Sequence, residues 1–204
     1  MIVILDYGTG NLTSIKNMLK KIGYNSTITS DINVLKNASK IILPGVGSFD
    51  NAMQSIERLG FDNVLHHKAL VEKIPVLGIC LGMQLLTKGS EEGVKKGLGW
   101  IDGYVRKFRT SDFPNIKIPH MGWNIVNFSE DKVLFKGLES GQARFYFVHS
   151  YHVVCETSKN VLATSDYGYN FECGIFEGNV FGVQFHPEKS HKFGMQLYDN
   201  FCKI

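Results

Sequence analysis

A cysteine stands between two glycines in Gly78-Ile79-Cys80-Leu81-Gly82, where the apolar run Val76–Ile79 meets a helical pattern beginning at Leu81. A residue at such a strand-to-helix junction adopts a strained backbone only if small neighbours clear the space. The G-x-C-x-G spacing therefore reads as the thiol form of a nucleophile elbow, aiming the Cys80 sulfur out of the end of a sheet. The first turn of the following helix, with its unpaired N–H groups, favours thiolate over thiol. Near the C-terminus, His186-Pro187-Glu188 follows the apolar run Val180–Phe185. In an extended segment residues two apart point the same way, and Pro187 keeps His186 out of the helical region, so the Glu188 carboxylate reaches the imidazole. A thiol nucleophile needs a base to take its proton and deliver it to a leaving amine, and that base needs a third group to hold its tautomer. Cys80, His186 and Glu188 supply one of each. Taken singly they read as an inert core thiol, a structural histidine and a solvated turn residue. Together they fall at the ends of two predicted strands, where open α/β sheets build their sites.

The elements that must position them alternate through the first half of the chain. Strands are expected at Ile2–Leu5, Ser26–Thr29, Lys40–Leu43 and Val76–Ile79, and helices near Thr13–Ile22, across Asp50–Lys73 and from Leu81. A βαβα series implies a mostly parallel central sheet flanked by helices, with sites at the carboxyl ends of the strands. After about residue 97 the pattern changes to closely spaced strands near Tyr104–Phe108, Trp123–Phe128, Phe145–Val148, His152–Cys155, Val161–Ser165, Phe171–Phe176 and Val180–Phe185, with a closing helix near His191–Cys202. That density predicts an additional antiparallel strand region within one α/β domain spanning 1–204.

Bulk composition excludes several function classes. The 204 residues carry 22 Lys plus Arg against 19 Asp plus Glu, a net charge of +3 spread along the chain, which argues against a nucleic-acid groove. Cys80, Cys155, Cys173 and Cys202 form no C-x-x-C and no close metal-ligand pair, a usage that suits free thiols in a reducing, cytoplasmic setting. The apolar N-terminus is too short for a signal segment, and no run approaches the ~20 apolar residues of a membrane span. His66-His67 and the pairs His149/His152 and His186/His191 lack the types and spacing of a metal site, so no metal and no cofactor is expected. Gly8-Thr9-Gly10 follows a strand, but Thr13 stands where a dinucleotide loop needs its third glycine; a tight turn against the floor of the site is the better reading.

Six segments, in order along the whole chain, resemble the class I, triad-type glutamine amidotransferases, and among them the glutaminase subunits of imidazole glycerol phosphate synthases. They are Asp6-Tyr7-Gly8-Thr9-Gly10-Asn11-Leu12, Leu43-Pro44-Gly45-Val46-Gly47-Ser48-Phe49, Gly78–Gln84, Pro119-His120-Met121-Gly122-Trp123-Asn124, Phe147-Val148-His149-Ser150-Tyr151 and Gly182–Ser190. The resemblance implies that Cys80 attacks the carboxamide of L-glutamine, that His186 protonates departing ammonia, and that the γ-glutamyl thioester is then hydrolysed. It implies oxyanion donors from the N–H of Leu81 and from the Val46–Gly47 turn, where glycine lets a peptide N–H approach or flip away. This turn departs from the Pro-Gly-Gly form of other class I members but matches the synthase subunits, in which a turn misaligned at rest keeps glutaminase activity low until the partner is occupied. Gln84, His149, Ser150 and Tyr151 are expected to bind glutamine. Met121, Trp123 and Asn124 are expected at a docking surface for a (β/α)8-barrel synthase that consumes the ammonia through an enclosed passage, Trp being favoured in interface cores.

Two segments, Gly97–Gly103 and Tyr167-Gly168-Tyr169-Asn170-Phe171, instead look like paralogues that supply ammonia for amidation of a surface-polysaccharide sugar. A stand-alone γ-glutamyl hydrolase of the same fold would need no partner, which the Pro119–Asn124 segment speaks against. A catalytically silent binding subunit is disfavoured by the intact Cys80, His186 and Glu188.

Overall fold

A computed structural model describes residues 1–109, 111–113, 116–129 and 131–204. Its first half follows the alternation of the sequence: β1 (Ile2–Leu5), α1 (Leu12–Lys21), β2 (Ser26–Thr29), α2 (Ile32–Lys36), β3 (Lys40–Leu43), α3 (Phe49–Arg58), α4 (Phe61–His66), β4 (Val76–Ile79) and α5 (Leu81–Leu85). The second half supplies β5 (Gly103–Lys107), β6 (His120–Ile125), β7 (Asn127–Phe128), β8 (Arg144–His149), β9 (Tyr151–Cys155), β10 (Val161–Asp166), β11 (Asn170–Glu177), β12 (Val180–Val183) and the closing helix α6 (His191–Lys203). The short helix α2 has no counterpart in the sequence reading. It starts where the Asp31 side chain accepts the Asn33 N–H at 2.8 Å, an N-cap that needs only one turn to act.

The sheet runs β2-β1-β3-β4-β12-β11-β10-β7, with β9 pairing β11 and β5 pairing β9. The pairings from β2 to β12 are parallel, and those from β12 onward antiparallel. All four residues of β1, β4 and β12 are buried, as expected of parallel strands covered on both faces rather than alternating in and out. On one face Ile15 and Leu19 of α1 pack with Leu197 and Phe201 of α6; on the other, Phe49, Ile56, Phe61 and Leu65 close over the sheet. Burying each such side chain contributes roughly 1.5–3 kcal/mol, so the two cores hold the strand ends rigidly. Strands β6 and β8 form a separate antiparallel pair, from His120↔His149 to Ile125↔Arg144.

The decisive neighbours are β4 and β12. Their parallel register places Gly182 beside Gly78 and Val183 beside Ile79, and the Cys80 N–H continues the ladder to the Val183 carbonyl at 2.8 Å. Two segments far apart in the chain thus end at the same edge. No helix among the described residues is long and apolar enough to cross a membrane.

Candidate active site

Cys80 sits at φ 54°, ψ −108°, a backbone conformation that L-residues with a side chain rarely adopt. The flanking glycines make it possible. A Cβ on Gly78 would come within 2.6 Å of the Gly82 carbonyl oxygen, and one on Gly82 would overlap the Leu43 carbonyl. The helix that follows is only the five residues of α5, all buried, and the Thr87 hydroxyl donates to the Gln84 carbonyl at 2.8 Å just beyond its end. A helix this short contributes little dipole, so side chains and not the helix terminus set the sulfur's surroundings.

Those side chains come from the segment after β12. His186, in the extended region, is followed by a 3₁₀ turn at Pro187–Lys189. Glu188 therefore reaches the imidazole through a tight turn, not through the extended i, i+2 geometry expected from the sequence. The contact itself is close: His186 Nδ1 meets Glu188 Oε1 at 2.8 Å, both side chains at most 3% exposed. Nδ1–H donates to the carboxylate, which leaves Nε2 as the working nitrogen. Nε2 is buried and stands beside the Cys80 sulfur without closing a hydrogen bond of ordinary geometry. Burial alone would lower the pKa of His186, but the neighbouring Cys80 and Glu188 outweigh it and lift it to about 10. A protonated imidazole is thereby kept next to the sulfur at neutral pH. Burial pushes the other three thiols up, Cys202 to about 12, so they are poor nucleophiles. All four cysteines are free.

In front of the sulfur lies a cavity of about 360 Å³ lined by Val46, Gly47, Cys80, Leu81, Gln84, Glu92, Pro119, Val148, His149, Ser150 and Tyr151. The residues expected from sequence to hold the oxyanion and the substrate converge there. Two of the expected oxyanion amides, however, are already bonded. The Leu81 N–H donates to the Gly45 carbonyl at 3.3 Å. The Val46 N–H donates to Thr9 Oγ1 at 3.0 Å, while the Thr9 hydroxyl donates to the Val46 carbonyl. The Tyr7 hydroxyl donates to the Pro44 carbonyl, and its pKa is raised by burial and by the neighbouring Cys80. The turn after β1 thus clamps the Pro44–Gly47 turn in this conformation, a role for Gly8-Thr9-Gly10 more specific than a tight turn against the floor.

Gln84 Nε2 donates to the Tyr151 carbonyl at 3.2 Å and to Gln184 Oε1 at 3.1 Å, which leaves its own oxygen as an acceptor toward the cavity. His149 is buried in a relay. Its Nδ1–H donates to the Tyr151 carbonyl at 2.7 Å, its Nε2 lies 2.9 Å from His120 Nδ1, and His120 Nε2 lies 3.3 Å from Asn124 Nδ2. Burial among Phe108, Phe147, Tyr167 and Phe171 holds these rings neutral: His120 falls to about 4, and His149 and His152 also lie below their ordinary value.

Strand alternation divides the expected docking residues. Met121 and Trp123 are 61% and 46% exposed, and Ile125, unremarked in the sequence, extends the row at 43%. Trp123 stacks on His191 with ring centroids 5.5 Å apart. Asn124 turns the other way, into the relay, and also donates to the Asp166 carbonyl at 2.6 Å. Two further residues escaped the sequence reading. Glu92 enters the cavity because its Oε2 accepts the Phe49 N–H at 2.9 Å, while Asp50 fixes the next loop by accepting the Val94 and Lys95 N–H groups. Gln184 reaches the sulfur itself, Nε2 to Sγ 3.6 Å. Glu92 has no periodic or motif signal, and Gln184 stands within the Gly182–Ser190 segment without a role assigned to it there.

A profile of the family described as "Glutamine amidotransferase class-I" matches residues 3–204. The chain belongs to that family. Relatives include "Imidazole glycerol phosphate synthase subunit HisH 2" of Methanococcus maripaludis, 54% identical over 203 residues (100% of this chain, 99% of the relative). "Imidazole glycerol phosphate synthase subunit HisH" of Leptospira borgpetersenii is 48% identical with both chains fully covered, and "HisH 2" of Pseudomonas aeruginosa 45%, again fully covered. Among solved structures, "Structure of PurLQS from Thermotoga maritima" superposes with TM-score 0.74 at 20% identity, over 99% of this chain and 97% of that one. A second solved structure, "Crystal structure of glutamine amidotransferase", gives 0.71 at 19% identity, over 100% and 98%. At such identities the structural likeness speaks for the amidotransferase fold, and the sequence relatives for the HisH branch.

Proposed function

We propose that this amidotransferase hydrolyses L-glutamine to glutamate and ammonia at Cys80, His186 and Glu188 and passes the ammonia to a (β/α)8-barrel synthase partner, in a cytoplasmic complex of the imidazole glycerol phosphate synthase type. The observation that carries the reading is the strained Cys80 at the edge of the cavity, beside an imidazole whose other nitrogen is held by Glu188 at 2.8 Å. Cys80 Sγ attacks the side-chain carbonyl carbon of glutamine, and the C=O electron pair moves onto oxygen. Collapse breaks the C–N bond as His186 Nε2–H gives its proton to the leaving nitrogen. The now neutral His186 takes a proton from water, whose oxygen attacks the thioester; the C–S bond breaks, glutamate leaves, and the proton stays on Nε2 beside the regenerated thiolate. Glu188 keeps the ring in the tautomer that makes both transfers possible.

Within this reading the substrate's α-ammonium faces the Gln84 oxygen and the Glu92 carboxylate, both of which line the cavity. The Leu81 N–H and a donor from the Val46–Gly47 turn serve the oxyanion once that turn leaves the conformation described above. Docking of the partner on the Met121, Trp123 and Ile125 row supplies the trigger.

A second reading, ammonia supply to the amidation of a surface-polysaccharide sugar, rests on the Gly97–Gly103 and Tyr167–Phe171 segments. Glutamate release from glutamine, measured with and without the barrel partner, separates the readings. Partner-dependent release that falls at least about a thousandfold in Cys80→Ala supports the amidotransferase. Partner-independent cleavage of γ-glutamyl peptides points to a hydrolase, and no turnover to a silent subunit. Restored growth without histidine, in a strain deprived of its own glutaminase chain, assigns the acceptor to the histidine route; failure to restore it, with release intact, favours the sugar route.

A further inference from the structure

We propose that Gln184 is a catalytic residue whose side-chain N–H donates to the Cys80 sulfur and stabilises it whenever it carries thiolate charge, first as attacking group and again as leaving group of the thioester. The proposal rests on the reading of Cys80 as nucleophile and adds a second donor, of different chemistry from His186, to the same atom.

The geometry follows from the fold. Gln184 is one residue past the end of β12, pinned by its N–H to the Cys173 carbonyl at 2.9 Å, while the preceding residue's carbonyl takes the Cys80 N–H. His186 is two residues further on, so a single short segment brings both side chains to the sulfur. Gln184 is wholly buried, and each end of its carboxamide has a partner: Nε2 lies 3.6 Å from Sγ, and Oε1 accepts Gln84 Nε2 at 3.1 Å. The orientation of the amide is fixed by elimination. The Tyr151 carbonyl only accepts, so the Gln84 group facing it is Nε2; the Gln184 group facing that Nε2 must then be its oxygen, which turns its nitrogen toward the sulfur.

A carboxamide does not ionise at neutral pH, so Gln184 can donate to the sulfur without transferring a proton to it, whereas the proton on His186 Nε2 moves to the leaving nitrogen during the reaction. A neutral thiol is a weak acceptor and a thiolate a stronger one, so the bond strengthens selectively in the charged state. The charge reappears when the C–S bond of the thioester breaks and its electron pair returns to sulfur, so the same donor assists hydrolysis of the intermediate. Burial of a polar side chain without a partner is costly, and here the partner is the reacting atom.

The test is the pH dependence of Cys80 alkylation by iodoacetamide in the full chain, read by peptide mass, which requires neither glutamine nor a partner. In Gln184→Met the midpoint should move up by about one pH unit, with alkylation below it slowed about tenfold. An unmoved midpoint in a variant that retains the cooperative unfolding of the parent overturns the proposal. A measurement on the unaltered chain guards against misfolding of the variant. The Gln184 side-chain ¹⁵N resonance should titrate with the alkylation midpoint of Cys80 and stop titrating in Cys80→Ala, whereas a resonance indifferent to pH across that midpoint overturns the assignment. Fast, selective alkylation with an unmoved midpoint contradicts Gln184 alone. Equal, slow alkylation of all four cysteines contradicts the nucleophile reading beneath it.

Discussion

Two kinds of histidine coexist in this protein, and they respond to pH in opposite senses. His186 is lifted to about 10, so the folded state binds more protons than the unfolded chain above the ordinary value of 6.5. Its contribution is complete below about pH 6.5 and is lost as pH rises toward 10. His120, His149 and His152 are held neutral by burial, His120 down to about 4, so here the unfolded state binds more protons. Their contribution is complete above about pH 6.5 and is lost as pH falls through the folded values. Thermal unfolding midpoints should accordingly peak near neutrality and decline on both sides. The acid-side decline between about pH 6.5 and 4 should shrink in His120→Asn, which keeps a polar group in the relay without a titrating ring; an unchanged acid limb would contradict the assignment. The residue types and spacing alone were enough to single out Cys80, His186 and Glu188, because a thiol, a base and an acid form a recognisable chemical set. Gln184 and Glu92 were not legible in this way. A carboxamide and a loop carboxylate carry no chemical signature until a partner more than forty positions away is known.

At the scale of elements, the turn after β1 and the turn after β3 behave as one unit. Thr9 bonds both the N–H and the carbonyl of Val46, and Gly10 has no room for a side chain that would not press on Pro44. The resting Pro44–Gly47 turn thus presents neither the Leu81 nor the Val46 amide to an oxyanion. Each hydrogen bond of this kind contributes about 0.5–1.5 kcal/mol. Thr9→Val, which keeps the shape and removes the hydroxyl, should therefore raise partner-independent glutamate release by roughly threefold to tenfold while leaving partner-stimulated release nearly unchanged. Equal or lower basal release would show that Thr9 does not restrain the turn. The strands β1, β3 and β4 were readable to the residue, since short apolar runs buried on both faces leave no ambiguity of period. The direction of Asn124 was not. Motif resemblance gave its segment a docking role, but alternation along β6 gives the exposed face to Met121, Trp123 and Ile125 and turns Asn124 toward His120.

For the molecule as a whole, a mostly parallel sheet with an antiparallel extension takes the form that periodicity implied in outline, and the family resemblance named the segments that surround the cavity. What the outline lacked was contact: which amides were already bonded, and which side chain stood beside the sulfur. The exposed row on β6 and the cavity in front of Cys80 are linked by hydrogen bonds running from Asn124 through His120 and His149 to the Tyr151 carbonyl, which also holds Gln84. The proposed docking face and the proposed nucleophile therefore share one framework. The most direct test labels the partner-bound protein with a diazoketone analogue of glutamine and locates the adduct by peptide mass. We expect a single adduct on Cys80, blocked by excess glutamine. Labelling of Cys155, Cys173 or Cys202 instead, or an unlabelled Cys80 in a preparation that releases glutamate, would contradict the account.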